Sequence, residues 1–592
     1  MTFYGRRTSH LSFAKPGVSS EASPTISILI CTRSPTSSRR AIESALDEPK
    51  NDKSEMSPRV KRLSLRTGGG TEAARGCWAL MNIRRVVSMT ARPVLMAGLF
   101  ALALLPPSAR AQERSVLTYH GDNSRSGQYV VPALSWEKAR SVQLDRAFNA
   151  RVAGSIYAQP LYWRPPDAST GMLFVATEDD VVQAFDATTG KELWRRVVGR
   201  PVRRSSLPCG NIDPLGITGT PAIDAAAQAI YFDAAVERGN GPRHEVFALS
   251  TRDGSVLPGW PIDVADLLHK AGRHFDPSVQ NQRAALTLLD GTVYVAFSGH
   301  FGDCGNFHGW VVGISLHEPG KHVSFETRAR GGGIWAPGGL SVSGRDIYFA
   351  TGNTLGAQTW SDGEAVFHLG PDLRRSDDKK DYFAPSDWKA LDAGDVDLGG
   401  SNPIPLDVPG ADGTRALILA LGKDGKAYLL DRTGLGGVGG QLAAATVSQS
   451  SIVTSPAAYR VGDDIFVAFQ ASGVRCPQPG RGHDLTVLKI TPGSPPAMAT
   501  AWCGALRGRG SPIVTTTDGH SNPIVWMLGA EGDNRLHAFR GDTGEPIFVS
   551  EPLSGLRRFQ TLIATQDRLY VGADGRIYAF LFEGNPHAPA GP

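Results

Sequence analysis

Three features of the 592-residue sequence predict an all-β fold, a β-propeller of four-stranded blades. A unit of about sixty residues recurs about eight times, turn-forming Gly (68) and Pro (40) are abundant, and the last repeat is cut short where an N-terminal strand can complete it. With 41% apolar residues, a chain of this length can bury large cores.

The clearest unit runs from Leu173 to Trp194. It reads strand, acidic turn (Thr177-Glu-Asp-Asp180), strand, a second turn (Asp186-Ala-Thr-Thr-Gly190), then a strand leading into Trp194. β-branched and aromatic runs between polar turns mark strands. A ring as large as that of Trp194 can wedge between neighbouring sheets. The strand core returns at Ile230, Val293, Ile347, Leu417, Ile465, Ile524 and Leu569. Partner strands follow at Val246, Val311, Ala427, Val487, Leu536 and Ile577, and the second turn is plain again at Asp542-Thr-Gly544.

The final unit, 569–582, lacks an outer strand. The segment Phe148-Asn-Ala-Arg-Val is expected to supply it, closing the ring and removing open sheet edges. Eight blades are preferred. Seven remain open, because an insertion at 355–405 interrupts the fourth unit and reads as a long loop, functional or disordered.

The front of the chain reads differently. Residues 1–80 are rich in Ser, Thr, Arg and Gly, a composition too polar to order itself, and are expected to be a disordered or mis-called extension, with the true start at Met81 or Met89. Residues 81–111 read as a secretory signal peptide: Arg84-Arg85, an apolar run from Val94 to Leu105, and Ala109-Arg-Ala111 as the cleavage pattern. A twin-arginine reading is permitted, though the flanking residues match it poorly. Residues 112–592 then form a single propeller domain, periplasmic or secreted.

Residues 1–111 hold 17 Lys+Arg and 7 Asp+Glu, which leaves 44 against 50 and a mildly acidic mature chain of net charge −6. That excludes the basic face nucleic acid needs. No later apolar run is long enough to span a bilayer. A monomer is expected.

Four of the six cysteines follow the cleavage site: Cys209, Cys304, Cys476 and Cys503. An even number in an exported chain suggests disulfides. Of three possible pairings, Cys209–Cys304 with Cys476–Cys503 is preferred, since each would join neighbouring repeats. No Cys-x-x-Cys spacing supports zinc, c-type haem or thioredoxin-like chemistry.

The segment Ala184-Phe-Asp-Ala-Thr-Thr-Gly-Lys-Glu-Leu-Trp194 resembles the repeat of secreted propellers in the pyrroloquinoline-quinone (PQQ) dehydrogenase-like family, the quinoprotein alcohol dehydrogenase-like superfamily. Tyr119-His-Gly-Asp-Asn-Ser-Arg-Ser-Gly127 resembles the opening strand of that superfamily. So do Tyr157-Ala-Gln-Pro, Gly216-Ile-Thr-Gly-Thr-Pro and Thr351-Gly-Asn353. The likeness covers about 117–582. It implies the fold more strongly than any activity, since this propeller also serves non-catalytic scaffolds.

For catalysis the resemblance implies a quinone on the propeller axis beside calcium, which takes oxygen ligands. Asn353 is the candidate ligand and cofactor contact, with Trp335 as a further cofactor contact. The downstream segment Ala384-Pro-Ser-Asp387-Trp-Lys-Ala-Leu-Asp392-Ala-Gly-Asp395-Val-Asp397 offers Asp387, Asp392 or Asp395 as the base that accepts the alcohol proton. Asp395 and Asp397 are candidate calcium ligands; a solvated turn capped by its own Asp side chains is the competing reading.

Three features depart from the catalytic pattern. No adjacent Cys-Cys pair is present to stack a quinone, no Glu matches the remaining calcium ligand, and no c-type haem segment is attached. The histidines, including His300, His308 and His520, form no metal spacing. Gly436–Gly440 lacks the Lys-Ser/Thr of a phosphate loop. The expectation is therefore an extracytoplasmic binding or scaffold module for a protein or glycan. A PQQ- and calcium-dependent alcohol or sugar dehydrogenase is the alternative, and a carbohydrate-binding or carbohydrate-active propeller the third.

Overall fold

The predicted repeats pair as eight separate sheets in the computed structural model of the protein, which describes residues 115–582 apart from 167, 411–412 and 478–482. Blade 1 spans 161–197, blade 2 222–263, blade 3 287–326 and blade 4 341–384. Blade 5 spans 404–446, blade 6 457–504, blade 7 513–549 and blade 8 562–581. The eight-blade count is thus the one observed. The extension and signal peptide assigned to 1–111 lie outside the described residues.

Blade 8 is closed from the N-terminal side. Ala150–Arg151 pairs antiparallel with Arg576–Leu581, Ala150 facing Ile577, and Gln143–Leu144 extends the same strand's far end. This is the closure expected of Phe148–Val152, and it joins the first and last sheets.

The insertion expected at 355–405 is not one loop. It contains the third and fourth strands of blade 4, Ala365–Leu369 and Tyr382–Ala384. They are short and separated by polar turns, so their β pattern is weak. Their burial comes from the neighbouring blades.

Each middle strand is covered by its neighbours on both faces; Ile524–Leu528, for example, is buried at every position. Outer strands meet solvent on one face, as Glu192–Val197 does. Aromatic side chains stitch blade 1 to blade 2 and blade 6 to blade 7. Trp194 Nε1 donates to Thr251 O in the last turn of blade 2 at 3.0 Å, and Trp502 Nε1 to Gly541 O of blade 7 at 2.9 Å. Gly254 and Gly544, both at positive φ, lie under these two indoles where a Cβ would come within 2.6 Å of the ring. The glycine turn between the third and fourth strands is therefore a docking seat for the preceding blade's Trp.

The N-terminal segment 116–131 runs along the inner strands of the ring. Its backbone bonds to blade 1 (Val116 with Tyr162), blade 2 (Leu117 O), blade 4 (Asn123 O), blade 6 (Ser126 O) and blade 7 (Gly127 O). Arg125, fully buried, donates to Leu286 O, Thr287 Oγ1, Leu340 O, Thr118 Oγ1 and Tyr119 O. The inner wall of the propeller is thus filled by a hydrogen-bonded stretch of its own chain.

Cys209 is bonded to Cys304 and Cys476 to Cys503. The pairing is the expected one, but the expected reason, a link between repeats, applies to the first bond and fails for the second. The first bond ties the connector between blades 1 and 2 to a loop of blade 3. The second closes a hairpin within blade 6, because its loop folds back onto the outer strand Ala497–Gly504.

Candidate functional site

The 352–364 turn of blade 4, the connector 385–403 and the Gly422–Gly425 turn of blade 5 bring several of the predicted residues together. Asn353 donates its backbone N–H to Asp397 Oδ1 at 2.8 Å. Lys423 Nζ lies 2.6 Å from Asp397 Oδ2, 3.0 Å from Asp395 Oδ1 and 5.3 Å from the centre of the Trp335 ring. Gly352 permits the approach: a Cβ there would stand 2.9 Å from Asp397 Oδ1 and 3.3 Å from Trp335 Nε1. Asn353, Trp335, Asp395 and Asp397 therefore share one site with Lys423.

Asp392 and Asp387 are engaged separately. Asp392 accepts from the backbone N–H of Thr354 at 2.8 Å and from its hydroxyl. Burial raises its pKa, and those two bonds oppose the rise. Asp387, exposed, pairs with Lys426 at 3.0 Å.

Acidic residues crowd the site. Glu364, fully buried, accepts from the N–H of Leu398 at 2.6 Å, while its second oxygen has no partner. Burial, then the charge of Asp397, pushes its pKa to about 10, so it is protonated at neutral pH. Burial and then Asp397 and Asp395 also raise Asp303, on the loop held by Cys304. Burial opposes the charge on Lys423, but Asp397 and Asp395 outweigh it and raise its pKa.

This arrangement does not fit a divalent cation. Calcium needs six to eight oxygen ligands at about 2.3–2.6 Å. Asp397 already holds an amide hydrogen on one oxygen and an ammonium on the other. Among the described residues, no group of three or more His, Cys, Asp or Glu side chains is placed to hold a metal ion.

A separate cleft opens where the lead-ins to several inner strands converge: Tyr157, Thr218, Thr220, Arg283, Pro337 and Phe559, with Tyr119 of the N-terminal segment. Beside it, Glu178 accepts from Gly216 N–H at 2.8 Å and Thr218 Oγ1 at 3.1 Å. Neither carboxylate oxygen of buried Asp180 has a hydrogen bond among the described residues. Burial pushes Glu178 to about 7; burial and then Glu178 push Asp180 to about 9. A wider cleft of about 630 Å³ lies at blade 3 among Arg273, His274, Asp276, Asn306, His308 and Glu326. Arg273 and Glu326 pair across it at 2.6 Å.

Lys423, Glu364, Glu178, Asp180 and Arg283 escaped the sequence reading. Lys423 and Glu178 occupy the same turn of the repeat, between second and third strands, as Asn353 does. Aligning that turn across all blades is the signal that would have found them.

Residues 134–364 match the PQQ_2 family, described as outer membrane protein assembly factor BamB. No curated protein matches the chain. Among solved structures it is similar to the quinohemoprotein alcohol dehydrogenase of Comamonas testosteroni, at 15% identity and TM-score 0.55, over 81% of this chain and 82% of that one. The quinohemoprotein alcohol dehydrogenase ADHIIG of Pseudomonas putida HK5 gives 13% identity and TM-score 0.57 over 81% and 82%. A europium-containing methanol dehydrogenase gives 14% and 0.54 over 78% and 90%. The fold is that of the quinoprotein alcohol dehydrogenase-like β-propellers.

Proposed function

We propose that this protein is an extracytoplasmic binding or scaffold propeller. The observation that carries the reading is the N-terminal segment: Arg125 and its neighbours fill the inner wall of the ring with internal hydrogen bonds. The small convergent cleft left beside it falls well below the roughly 300–1,000 Å³ of ordinary cofactor and ligand sites. Lys423 against Asp397 and Asp395 supports the same reading, because an ammonium of the chain neutralises those acids. The family description over 134–364 names an assembly factor, which agrees with a protein-binding role. Two disulfides and the leader-like segment suit a periplasmic or secreted protein.

The contact between Asn353 and Asp397 favours the second reading, a PQQ-dependent dehydrogenase, since these are the residue types its site would use. The carbohydrate reading expects several exposed aromatic rings. Among the described residues only Phe301 is an aromatic in the exposed class.

Titration calorimetry of the full chain with PQQ and calcium, with a dye-linked alcohol oxidation assay, separates the first two. The scaffold reading expects neither saturable PQQ binding nor dye reduction from folded protein. Calcium-dependent PQQ binding with turnover, lost in Asn353→Ala, would overturn it.

A further inference from the structure

We infer that the cleft at the convergence of the inner-strand lead-ins binds a small oxyanion, a carboxylate or phosphate group, on the guanidinium of Arg283 with the hydroxyls of Tyr157 and Thr220. This rests on the reading of the propeller as a binding module and names the ligand class it takes.

Arg283 is partly buried and lines the cleft. Among the described residues it makes no ion pair and no hydrogen bond; its one specific contact is the Phe559 ring, 5.3 Å from the guanidinium carbon. A guanidinium carries five N–H donors, and those of Arg283 face the cleft and its solvent with no partner from the chain. Burial depresses the Arg283 pKa more than the charges of Tyr157 and Glu178 raise it, and no carboxylate is in contact with it. Arg125 shows how this chain settles a buried arginine with no ligand: several carbonyl and hydroxyl acceptors surround it. Arg283 has none of these.

Two hydroxyls of the lining have a proton to offer, beside the apolar Pro337 and Phe559. Tyr157 Oη accepts from Arg557 Nη1 at 3.1 Å, which leaves its own proton free to donate. Thr220 Oγ1 accepts from the N–H of Gln159 at 2.8 Å, and its proton is likewise free. No acidic residue lines the cleft, and none of Asn353, Trp335, Asp392, Asp395 or Asp397 does, so the site differs from the one the resemblance points to. Of the nearby carboxylates, Asp574 pairs with Arg557 at 2.6 Å and Glu178 accepts from Gly216 and Thr218, while burial keeps Asp180 protonated at neutral pH. A planar fork of N–H groups beside two hydroxyls suits a carboxylate or phosphate. The small volume limits the ligand to one such group on a slim stem.

The test is calorimetry of the full chain with succinate, with inorganic phosphate, and with a short peptide bearing a free C-terminal carboxylate, at fixed ionic strength. Saturable binding of succinate or phosphate, weakened tenfold or more in Arg283→Gln and partly kept in Arg283→Lys, supports a free small anion as the ligand. Binding of the peptide alone, lost in Arg283→Gln and on amidating its C-terminus, supports a partner chain as the source of the carboxylate. Arg558→Gln, which removes a neighbouring surface charge, is expected to leave either result unchanged. No saturable binding by any probe to folded protein, or binding indifferent to Arg283→Gln, overturns the inference. That failure would leave the scaffold reading standing, since the scaffold reading is tested by PQQ binding and turnover.

Discussion

Lys423 Nζ lies 2.6 Å from Asp397 Oδ2, so that a side chain of blade 5 neutralises the carboxylate that also accepts the backbone N–H of Asn353. Asp397 is 5% exposed and Lys423 19%. An ammonium in this position does for the acid cluster what a bound cation would do, without a coordination sphere. It also explains how Asp395, Asp397 and Asn353 come together although, among the described residues, no three acidic side chains are placed to hold one metal ion.

Replacing Lys423 by Met removes that charge. The expected loss of stability is roughly 1.5–3 kcal/mol, the range for a charged hydrogen bond broken with one partner left buried. Calcium at millimolar concentration should raise the melting temperature of the variant by several degrees and leave the parent almost unmoved. A parent protein stabilised by calcium as strongly as the variant would contradict the internal-cation argument.

The buried acids of blade 1 set a pH dependence. Asp180 is held at about 9 and Glu178 at about 7 in the folded chain, both above their unfolded values, chiefly by burial. A raised carboxyl pKa means the folded state binds more protons. The contribution is full below about pH 4 and is lost as pH rises through the folded values. Urea unfolding should therefore show this contribution declining between about pH 4 and 9. Asp180→Asn should flatten that decline and stabilise the protein at pH 8 by about 1.4 kcal/mol or more, the equivalent of one pKa unit. A steeper decline in the variant would refute it.

The ring was legible because its signals are local and repeated. The Asp-x-x-x-Gly turn after Phe185 and the β runs at Val293, Ile465 and Leu569 each announce themselves, and the cut-short last blade points to a strand near Phe148. Blade 4 was half hidden. Ala365–Leu369 and Tyr382–Ala384 are five and three residues long, and it is burial against adjacent blades that makes them strands. At the candidate site, Asn353, Asp395 and Asp397 were visible as residue types. Lys423 was invisible as their partner, because the contact is made by a turn of the next blade. Arg125 sat inside a recognised segment, yet nothing local told that its guanidinium would reach carbonyls of blades 3 and 4.

Those carbonyls make the N-terminal segment a structural member of the ring. Arg125→Met keeps much of the side-chain volume and deletes every donor, leaving Leu286 O and Leu340 O only the longer bonds from Thr118 Oγ1 at 3.4 Å and Thr287 Oγ1 at 3.3 Å. A hydrogen bond from a charged donor is worth about 1.5–3 kcal/mol, and several are lost, so a total loss of about 3 kcal/mol or more is expected. Urea denaturation with proteolysis of the N-terminus would measure it. Unchanged stability, or an N-terminus equally protected in both proteins, would mean the segment fills the ring by packing alone.

The two disulfides should be unequal. Cys209–Cys304 closes a stretch of 95 residues and Cys476–Cys503 one of 27. In the chain-entropy account the longer loop is worth about 4.7 kcal/mol and the shorter about 3.5. The paired Ser variants are therefore expected to lose stability in that order, by a margin of about 1 kcal/mol in urea unfolding. The longer bond also holds the loop that carries Phe301 and Asp303, and Asp303 lies close enough to Asp395 and Asp397 for their charges to raise its pKa. Loss of Cys209–Cys304 should consequently speed hydrogen exchange around Asp303, while loss of Cys476–Cys503 should affect blade 6 alone. Equal losses with no change in exchange near Asp303 would show that backbone packing, and not the bond, positions that loop.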